Sequence, residues 1–253
     1  MPQLDTPAIV LASLRYSETS KIVRLATREH GVQSAIAKGA LRPRSRFGAA
    51  LQSLSEGQAR LLVKDHRELH ILASFELTRL HLGLADDLER SATAFALAEV
   101  MLRFAPAEPH PESYDLLRDA LGVLELAPAA ELDALGFRVL WQLVSALGFA
   151  PELDACVRDG MLLPTEGGLA FSTREGGALC PTCAAAHGAT QLPPDARADL
   201  GTLMDPHATL PRLDRRHAES HRRLLARYIR HHLAEGAELP ALEFWLRRPW
   251  VAA

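Results

Sequence analysis

The chain has 253 residues, 48% hydrophobic and 23% charged, which is enough for a sizeable core and for two domains or one domain with an appendage. A formal net charge of −3 excludes a uniformly basic nucleic-acid coat, so any binding of polyanions must rest on local charge. No apolar run approaches the roughly 18 to 20 residues that span a bilayer. The start, Met1-Pro2-Gln3-Leu4-Asp5, lacks a charged segment followed by an apolar one, so no membrane association and a cytoplasmic location are expected.

Charge is segregated along the chain. Residues 1–75 hold eleven Lys and Arg against six acids, a balance of +5; residues 76–150 hold five Arg against twelve acids, −7; residues 212–248 hold nine Arg against five acids, +4. A binder with more than one contact region has this kind of asymmetry.

The first 75 residues read as β structure. Ala8 to Leu14 is a continuous apolar run, and Ser17-Glu18-Thr19-Ser20 is turn-like. Lys21 to Arg28 alternates Val23, Leu25 and Thr27 with a face carrying Arg24 and Arg28. His30-Gly31 makes the next turn and Val32 to Ala37 the third strand. Leu51–Leu54 and Ala59–Val63 follow as strand segments, and Lys64-Asp65-His66 turns the chain into Leu69–Phe75. Short strands at this spacing, with a long loop after the third, predict a five-stranded OB-fold β barrel over residues 1–80; an SH3-like barrel would read similarly.

The long loop opens with Lys38-Gly39-Ala40-Leu41-Arg42-Pro43-Arg44-Ser45-Arg46, four positive charges and no acid. Planar guanidinium groups suit phosphate oxygens, while Gly39 and Pro43 keep the segment out of helix or central strand. Two readings stand at this point: a phosphate grip made of Lys38, Arg42, Arg44 and Arg46, with Arg24 and Arg28 of the second strand as further binding residues, or a solvated basic surface.

From Glu76 the period becomes helical. Ser91 to Leu102 begins with a cap-competent Ser and is apolar on nearly every side, as a central bundle helix would be. Pro106, Pro109 and Pro111 break the chain before a helix over Tyr114–Leu126, and a third runs from Glu131 to Leu147, closed by Gly148.

Cys156 and Asp159 form a pair spaced like Cys180-Pro181-Thr182-Cys183, with a glycine-rich link between the two pairs. Two such knuckles bring four ligands to one tetrahedral ion, so a structural zinc held by Cys156, Asp159, Cys180 and Cys183 is expected. His187 is the competing fourth ligand, and three free buried thiols the plain alternative. A zinc deaminase needs His-x-Glu ahead of Pro-Cys-x-x-Cys; residue 179 is Leu, and His66-Arg67-Glu68 lies far upstream in predicted β structure. A thioredoxin-like motif needs a strand–helix setting that the glycine-rich link does not offer. No Walker loop, GxGxxG, GxSxG or HExxH motif appears either.

The last third returns to helix and arginine. Between His217 and Leu233, Leu224, Leu225, Tyr228, Ile229 and His232 make an apolar face, while Arg223, Arg227 and Arg230 share another. That face either pairs with acids of the bundle or, through Arg223 and Arg227, contacts DNA. Glu243 to Trp250 either docks on the body or reaches a partner. The fold class expected is α+β multidomain: the barrel at 1–80 and an α-helical domain, a bundle, over 81–253, interrupted by a zinc-finger-like cysteine module at about 150–190.

Glu18-Thr19-Ser20, Thr27-Arg28-Glu29-His30-Gly31 and Ala37 through Arg46 closely resemble the N-terminal domain of the bacterial RecO recombination mediators. The order of barrel, helices, Cys knuckle, Phe171-Ser172, Gly176-Gly177 and Cys-x2-Cys also resembles that family. Asp159 is the departure, standing where the family usually has a fourth cysteine. The resemblance implies an OB fold, a zinc module and binding of single- and double-stranded DNA in repair by the RecFOR pathway. It further implies annealing of complementary strands, loading of the RecA recombinase with RecR and sometimes RecF, a nucleoid-associated location and no catalytic residue, so that the chain is expected not to be an enzyme. The C-terminal tail of single-strand-binding protein would seat on the helical domain near a cation, with Arg90, Arg103 and Arg138 as candidates. A protein-interaction adaptor with incidental DNA binding is the alternative function.

Overall fold

Strand β4 (Glu56–Leu62) buries Gly57, Ala59 and Leu61 and exposes Gln58 and Arg60, the period-2 signature of a sheet with one face packed and one wet. In the computed structural model, which describes residues 2–63, 67–234 and 237–251, it closes a barrel with four other strands. These are β1 (Gln3–Tyr16), β2 (Ser20–Thr27), β3 (Gly31–Ala37) and β5 (Leu69–Arg79), in the order β1-β2-β3-β5-β4. Neighbours are antiparallel except β3 and β5, whose parallel pairing completes the closure. This is the five-stranded OB-fold barrel that the spacing predicts. β1 serves two neighbours, β2 and β4, and a register shift between Val10 and Ala12 accompanies its passage from one to the other.

The barrel interior mixes small and large residues: Ala8, Ala35, Ala37 and Ala59 with Val23, Leu25, Leu61, Leu72 and Phe75. Leu51–Leu54, expected as a strand, is instead a turn in which Leu54 has φ 70° and its N–H donates to Val10 O at 2.7 Å. The apolar pattern there reports burial and not extension, since Leu51 and Leu54 both go inside. The turn expected at Lys64-Asp65-His66 lies outside the described residues.

The chain divides into two compact units, Met1–Leu126 and Ala127–Ala253. The first adds helices α1 (Leu88–Phe104) and α2 (Pro111–Leu126) to the barrel. The expected cap at Ser91 is corrected by one turn: Asp87 is the N-cap, accepting from the amides of Glu89 and Arg90. Ser91 lies inside the helix and bonds back to Leu84 O at 2.6 Å. Arg90 crosses to α2, donating to the terminal carbonyls of Leu124 and Glu125, and so satisfies groups that a helix end leaves open. The buried His81 bridges the carboxylates of Glu56 on β4 and Glu125 on α2, which ties the barrel to the helix pair.

The second unit contains α3 (Leu132–Val144), β6 (Leu169–Ser172), β7 (Gly177–Leu179) and α4 (Pro181–His187). After these come β8 (Thr190–Leu192), α5 (Pro194–Met204), α6 (Arg215–His232) and α7 (Pro240–Arg247), with a three-stranded sheet ordered β7-β6-β8. Against the expectation drawn from the sequence, one apolar stretch, Ala129–Phe149, is long and apolar enough to cross a membrane. It is the core helix of this unit: Phe137, Leu140, Leu143 and Val144 are fully buried, and α3 packs on α5 and α6. Trp141 meets Tyr228 of α6 edge-on at 5.1 Å. The tail segment docks, with Trp245 of α7 fully buried against Phe137.

Candidate nucleic-acid interface and metal centre

The basic loop is a chain of turns seated on the barrel end. Arg42 N–H donates to Gly39 O, Ser45 N–H to Arg42 O, Gly48 N–H to Ser45 O and Ala50 N–H to Phe47 O. Ala40, Phe47 and Leu51 drop into the barrel core between these turns, and the guanidinium of Arg46 lies 5.0 Å over the Phe47 ring. Leu41 N–H donates to Thr19 O at 2.9 Å, which fastens the loop to the β1–β2 turn. The anchors face inward and Lys38, Arg42, Arg44 and Arg46 are all exposed.

None of these four cations pairs with an acid among the described residues. Other arginines of the same unit are occupied: Arg60 by Asp5, Arg79 by Glu125 and Arg118 by Asp115 and Asp119. Arg28 belongs with the occupied set. Its Nε and Nη2 grip both oxygens of Asp115 on α2 at 3.0–3.2 Å, and hydrogen bonding to this guanidinium holds the Asp115 carboxyl below the usual carboxylate range. Arg24 is half-buried on the outer face of β2, in register with Ala12 and Ser34, and makes no ion pair among the described residues.

Arg223 and Arg227 are exposed on α6, in the second unit, where with Arg216 and His217 they line a cavity of about 470 Å³. Arg230, aligned with them in sequence, is paired with Glu243 of α7. Arg222 is buried: its guanidinium lies 4.3 Å over the Trp245 ring, donates to Trp245 O and pairs with Asp133. Between α6 and α7, Arg215, Arg222, Arg223, Arg247 and Arg248 line a second cavity of about 370 Å³ with Glu219, Leu246 and Val251. Of the cations considered for an acidic tail, Arg103 is exposed, Arg90 is spent on α2 and Arg138 donates to Thr202 O inside the second unit.

The two knuckles of the second unit are brought together by β7. Gly177 pairs with Glu152, and a Cβ at Gly177 would lie 2.4 Å from Glu152 O and 2.8 Å from Val157, so only glycine allows this approach. Val157 N–H donates to Ala178 O and Ala178 N–H to Glu152 O, fixing the Cys156 turn against the strand that leads to Cys180. Cys180 caps α4, its sulfur accepting from Cys183 N–H, with Pro181 at the first helical position.

The ligand atoms of Cys156, Asp159, Cys180 and Cys183 all lie within 4.8 Å of one another. Asp159 Oδ2 is 3.2 Å from Cys180 Sγ and 3.3 Å from Cys183 Sγ. Tetrahedral ligands bound at about 2.1–2.3 Å stand about 3.5 Å apart, so the cluster has the dimensions of a metal site. His187 is exposed and lies outside the cluster. The Met161 amide and the thiols of Cys180, Cys156 and Cys183 hold the Asp159 carboxyl well below its usual range. Burial, with hydrogen bonds to Cys180 and Asp159, pushes the Cys183 thiol up to about 12. A divalent cation would take the place of the thiol protons around that carboxylate.

Sequence reasoning passed over Arg15 and Lys21 as site residues, although both count in the +5 balance. They face one another across the β1–β2 hairpin, a register that composition does not carry.

The fold defines a barrel protein: a closed OB barrel with an exposed basic loop, in one chain with a helical unit and a three-cysteine, one-aspartate cluster that could hold a metal ion. Family models described as "Recombination protein O N terminal" and "Recombination protein O C terminal" match residues 1–81 and 85–239. A DNA repair protein RecO of Anaeromyxobacter sp. (strain Fw109-5) is 35% identical, with 96% of this chain and 95% of the relative covered. Those of Symbiobacterium thermophilum and Rubrobacter xylanophilus are 35% and 32% identical, covering 81% and 89% of this chain and 81% and 88% of the relatives. The chain belongs to the RecO family of DNA repair and recombination proteins.

Proposed function

We propose that this protein is a non-enzymatic recombination mediator that binds single- and double-stranded DNA through phosphate contacts, irrespective of base sequence, and anneals complementary strands. The observation that carries the reading is the exposed set Lys38, Arg42, Arg44 and Arg46, without an acid partner among the described residues, on an OB barrel whose Arg28, Arg60 and Arg79 are tied to acids. Two strands anneal when their mutual phosphate repulsion is offset while base edges stay free, and a backbone-holding arginine loop does this without nucleotide hydrolysis. Arg24 extends the same contact surface in the first unit; Arg223 and Arg227 offer a second one on α6.

The cysteine cluster is read as a structural zinc site. Its three soft sulfurs and one carboxylate suit zinc, and four protein ligands leave no open position for chemistry. Zinc would cross-link the 156–160 turn to the start of α4, holding a part of the chain with few core residues of its own.

Family membership supports RecR, RecF, RecA and single-strand-binding protein as partners in the cytoplasm and at the nucleoid, with delivery of RecA to coated single strands as the outcome. The cavity between α6 and α7 offers Leu246, Val251 and Arg223 to an acidic, apolar tail, while its other four arginines pair with Glu219, Asp133 and Glu243. A strand-annealing assay with purified protein tests the function. Wild type should accelerate annealing, and Arg42→Ala/Arg44→Ala/Arg46→Ala should lose most of that acceleration with metal content unchanged. Equal annealing by the two would return the loop to solvated surface.

A further inference from the structure

At the end of the barrel that carries the basic loop, β1 and β2 form a hairpin with two unlike faces. Leu14 and Tyr16, two residues apart and so on one face, are 62% and 49% exposed. On the other face Arg15 sits directly opposite Lys21. Two like charges paired across strands work against the hairpin, so this pair costs stability unless an anion bridges it. Lys21 reaches back to Leu51 O at 3.3 Å, within the same loop system that carries the arginines. The Leu41–Thr19 hydrogen bond then sets the arginine loop directly against the hairpin turn.

The barrel end thus presents Arg15, Lys21 and Arg24 from the hairpin and four cations from the loop, with Glu18 the one acid in residues 14–24 and 38–46. That balance selects a polyanion. The other aromatics of the barrel and its loop, Phe47 and Phe75, are 3% and 6% exposed and serve the core, so Tyr16 is the aromatic side chain this end offers to a ligand. A phosphate-only grip has no use for an exposed ring and an exposed leucine. An unpaired base does, because it carries an apolar face that stacks on an aromatic ring, whereas in a duplex that face is already covered.

We infer that the β1–β2 hairpin end is a base-contacting site in which Tyr16, flanked by Leu14 and sharing its face with Arg24, stacks on an unpaired base, while Arg15, Lys21 and the arginine loop hold phosphates of the same strand on the opposite face. Tyr16 is then the residue that makes this surface favour single-stranded over duplex DNA. This rests on the DNA-interface reading of the loop, and adds base contact to a grip otherwise made of charges.

The test measures binding of a labelled oligothymidine and of a duplex of equal length by fluorescence anisotropy, for wild type, Tyr16→Ala, Tyr16→Phe and the loop triple variant. Tyr16 is at the exposed end of its strand, so both substitutions leave the core intact. Tyr16→Ala should weaken single-strand binding about tenfold and duplex binding less than twofold, with Tyr16→Phe close to wild type. Equal losses on both forms, or none on either, would overturn the assignment. If the triple variant loses both forms while Tyr16→Ala keeps wild-type selectivity, the interface stands and the base-contacting site fails. If the triple variant binds both forms as wild type does, the interface reading itself fails. An Asp/Leu peptide whose binding depends on Tyr16 while oligothymidine binding does not would assign the surface to an acidic protein segment and overturn the base-contacting site.

Discussion

The amide of Leu41 donates to the carbonyl of Thr19 at 2.9 Å, a single backbone bond that joins the arginine loop to the β1–β2 turn. Pre-positioned charges bind a polyanion better than floppy ones because less freedom is lost on binding. Leu41→Pro removes the donor and no charge. Single-strand affinity should fall several-fold below that of Leu41→Ala, which keeps the amide, as read by anisotropy titration. Identical affinities would show that the loop is held by its other anchors alone.

Arg28 separates ion-paired cations from those of the loop, which have no acid partner among the described residues. Its bidentate pair with Asp115 fastens the turn after β2 to α2, so Arg28→Ala should lower Tm modestly and change the salt dependence of DNA binding little. Asp115→Asn should lower Tm to a similar extent, and the double variant little further, because the two changes remove one interaction. Additive losses would contradict a shared pair.

Arg222 makes the same distinction in the second unit with a larger effect. It is buried, stacked on Trp245 and paired with Asp133, and removing one partner of a buried pair typically costs about 3–5 kcal/mol. Arg222→Ala should therefore unfold or strongly destabilise the protein in a denaturant titration, whereas Arg223→Ala next to it should shift Tm by little.

His221 gives the protein an acid-sensitive core. Burial pushes its pKa down to about 4 from 6.5, with His217 acting in the same direction and Asp195 against it; Asp199 is 3.9 Å away. Between those two values the unfolded chain binds a proton that the native state refuses. Stability is thus fully present above about 6.5 and is lost as pH falls toward 4. Burial raises the Asp199 carboxyl, which works in the opposite direction toward the acid end. Tm measured from pH 7 to pH 4 should fall less steeply in His221→Gln than in wild type. Parallel curves would contradict the assignment.

Metal content follows from the cluster geometry. Zinc bound by wild type should drop sharply in Asp159→Ala and persist in Asp159→Cys, which restores four sulfurs. Chelation should lower Tm in wild type and leave the metal-poor Asp159→Ala unaffected. Zinc absent from wild type would remove the structural reading of this module.

Much of this was legible in the chain because local patterns stated it. Alternation in Lys21–Arg28 and Ala59–Val63 gave strands, and the Cys156/Asp159 and Cys180/Cys183 spacings grouped the four residues that the fold gathers within 4.8 Å. Where the reading slipped, tertiary contacts decided. Leu51–Leu54 is apolar because it plugs the barrel, and Asp87 outcompeted Ser91 because its carboxylate meets two free amides at the true helix start. Arg28 and Arg230 look like free cations in sequence, since their acids are 87 and 13 residues away and only the fold supplies them. The cross-strand register of Arg15 and Lys21 and the exposure of Tyr16 belong to the same class.

The most direct measurement is the salt dependence of single-strand binding by wild type and by Arg42→Ala/Arg44→Ala/Arg46→Ala. Each phosphate contact contributes about 0.7 to the slope of log K against log salt, so the triple variant should be shallower by about two and weaker at low salt. A wild-type affinity that is flat across salt, or a triple variant with the wild-type slope and affinity, would contradict a loop that holds DNA by its phosphates.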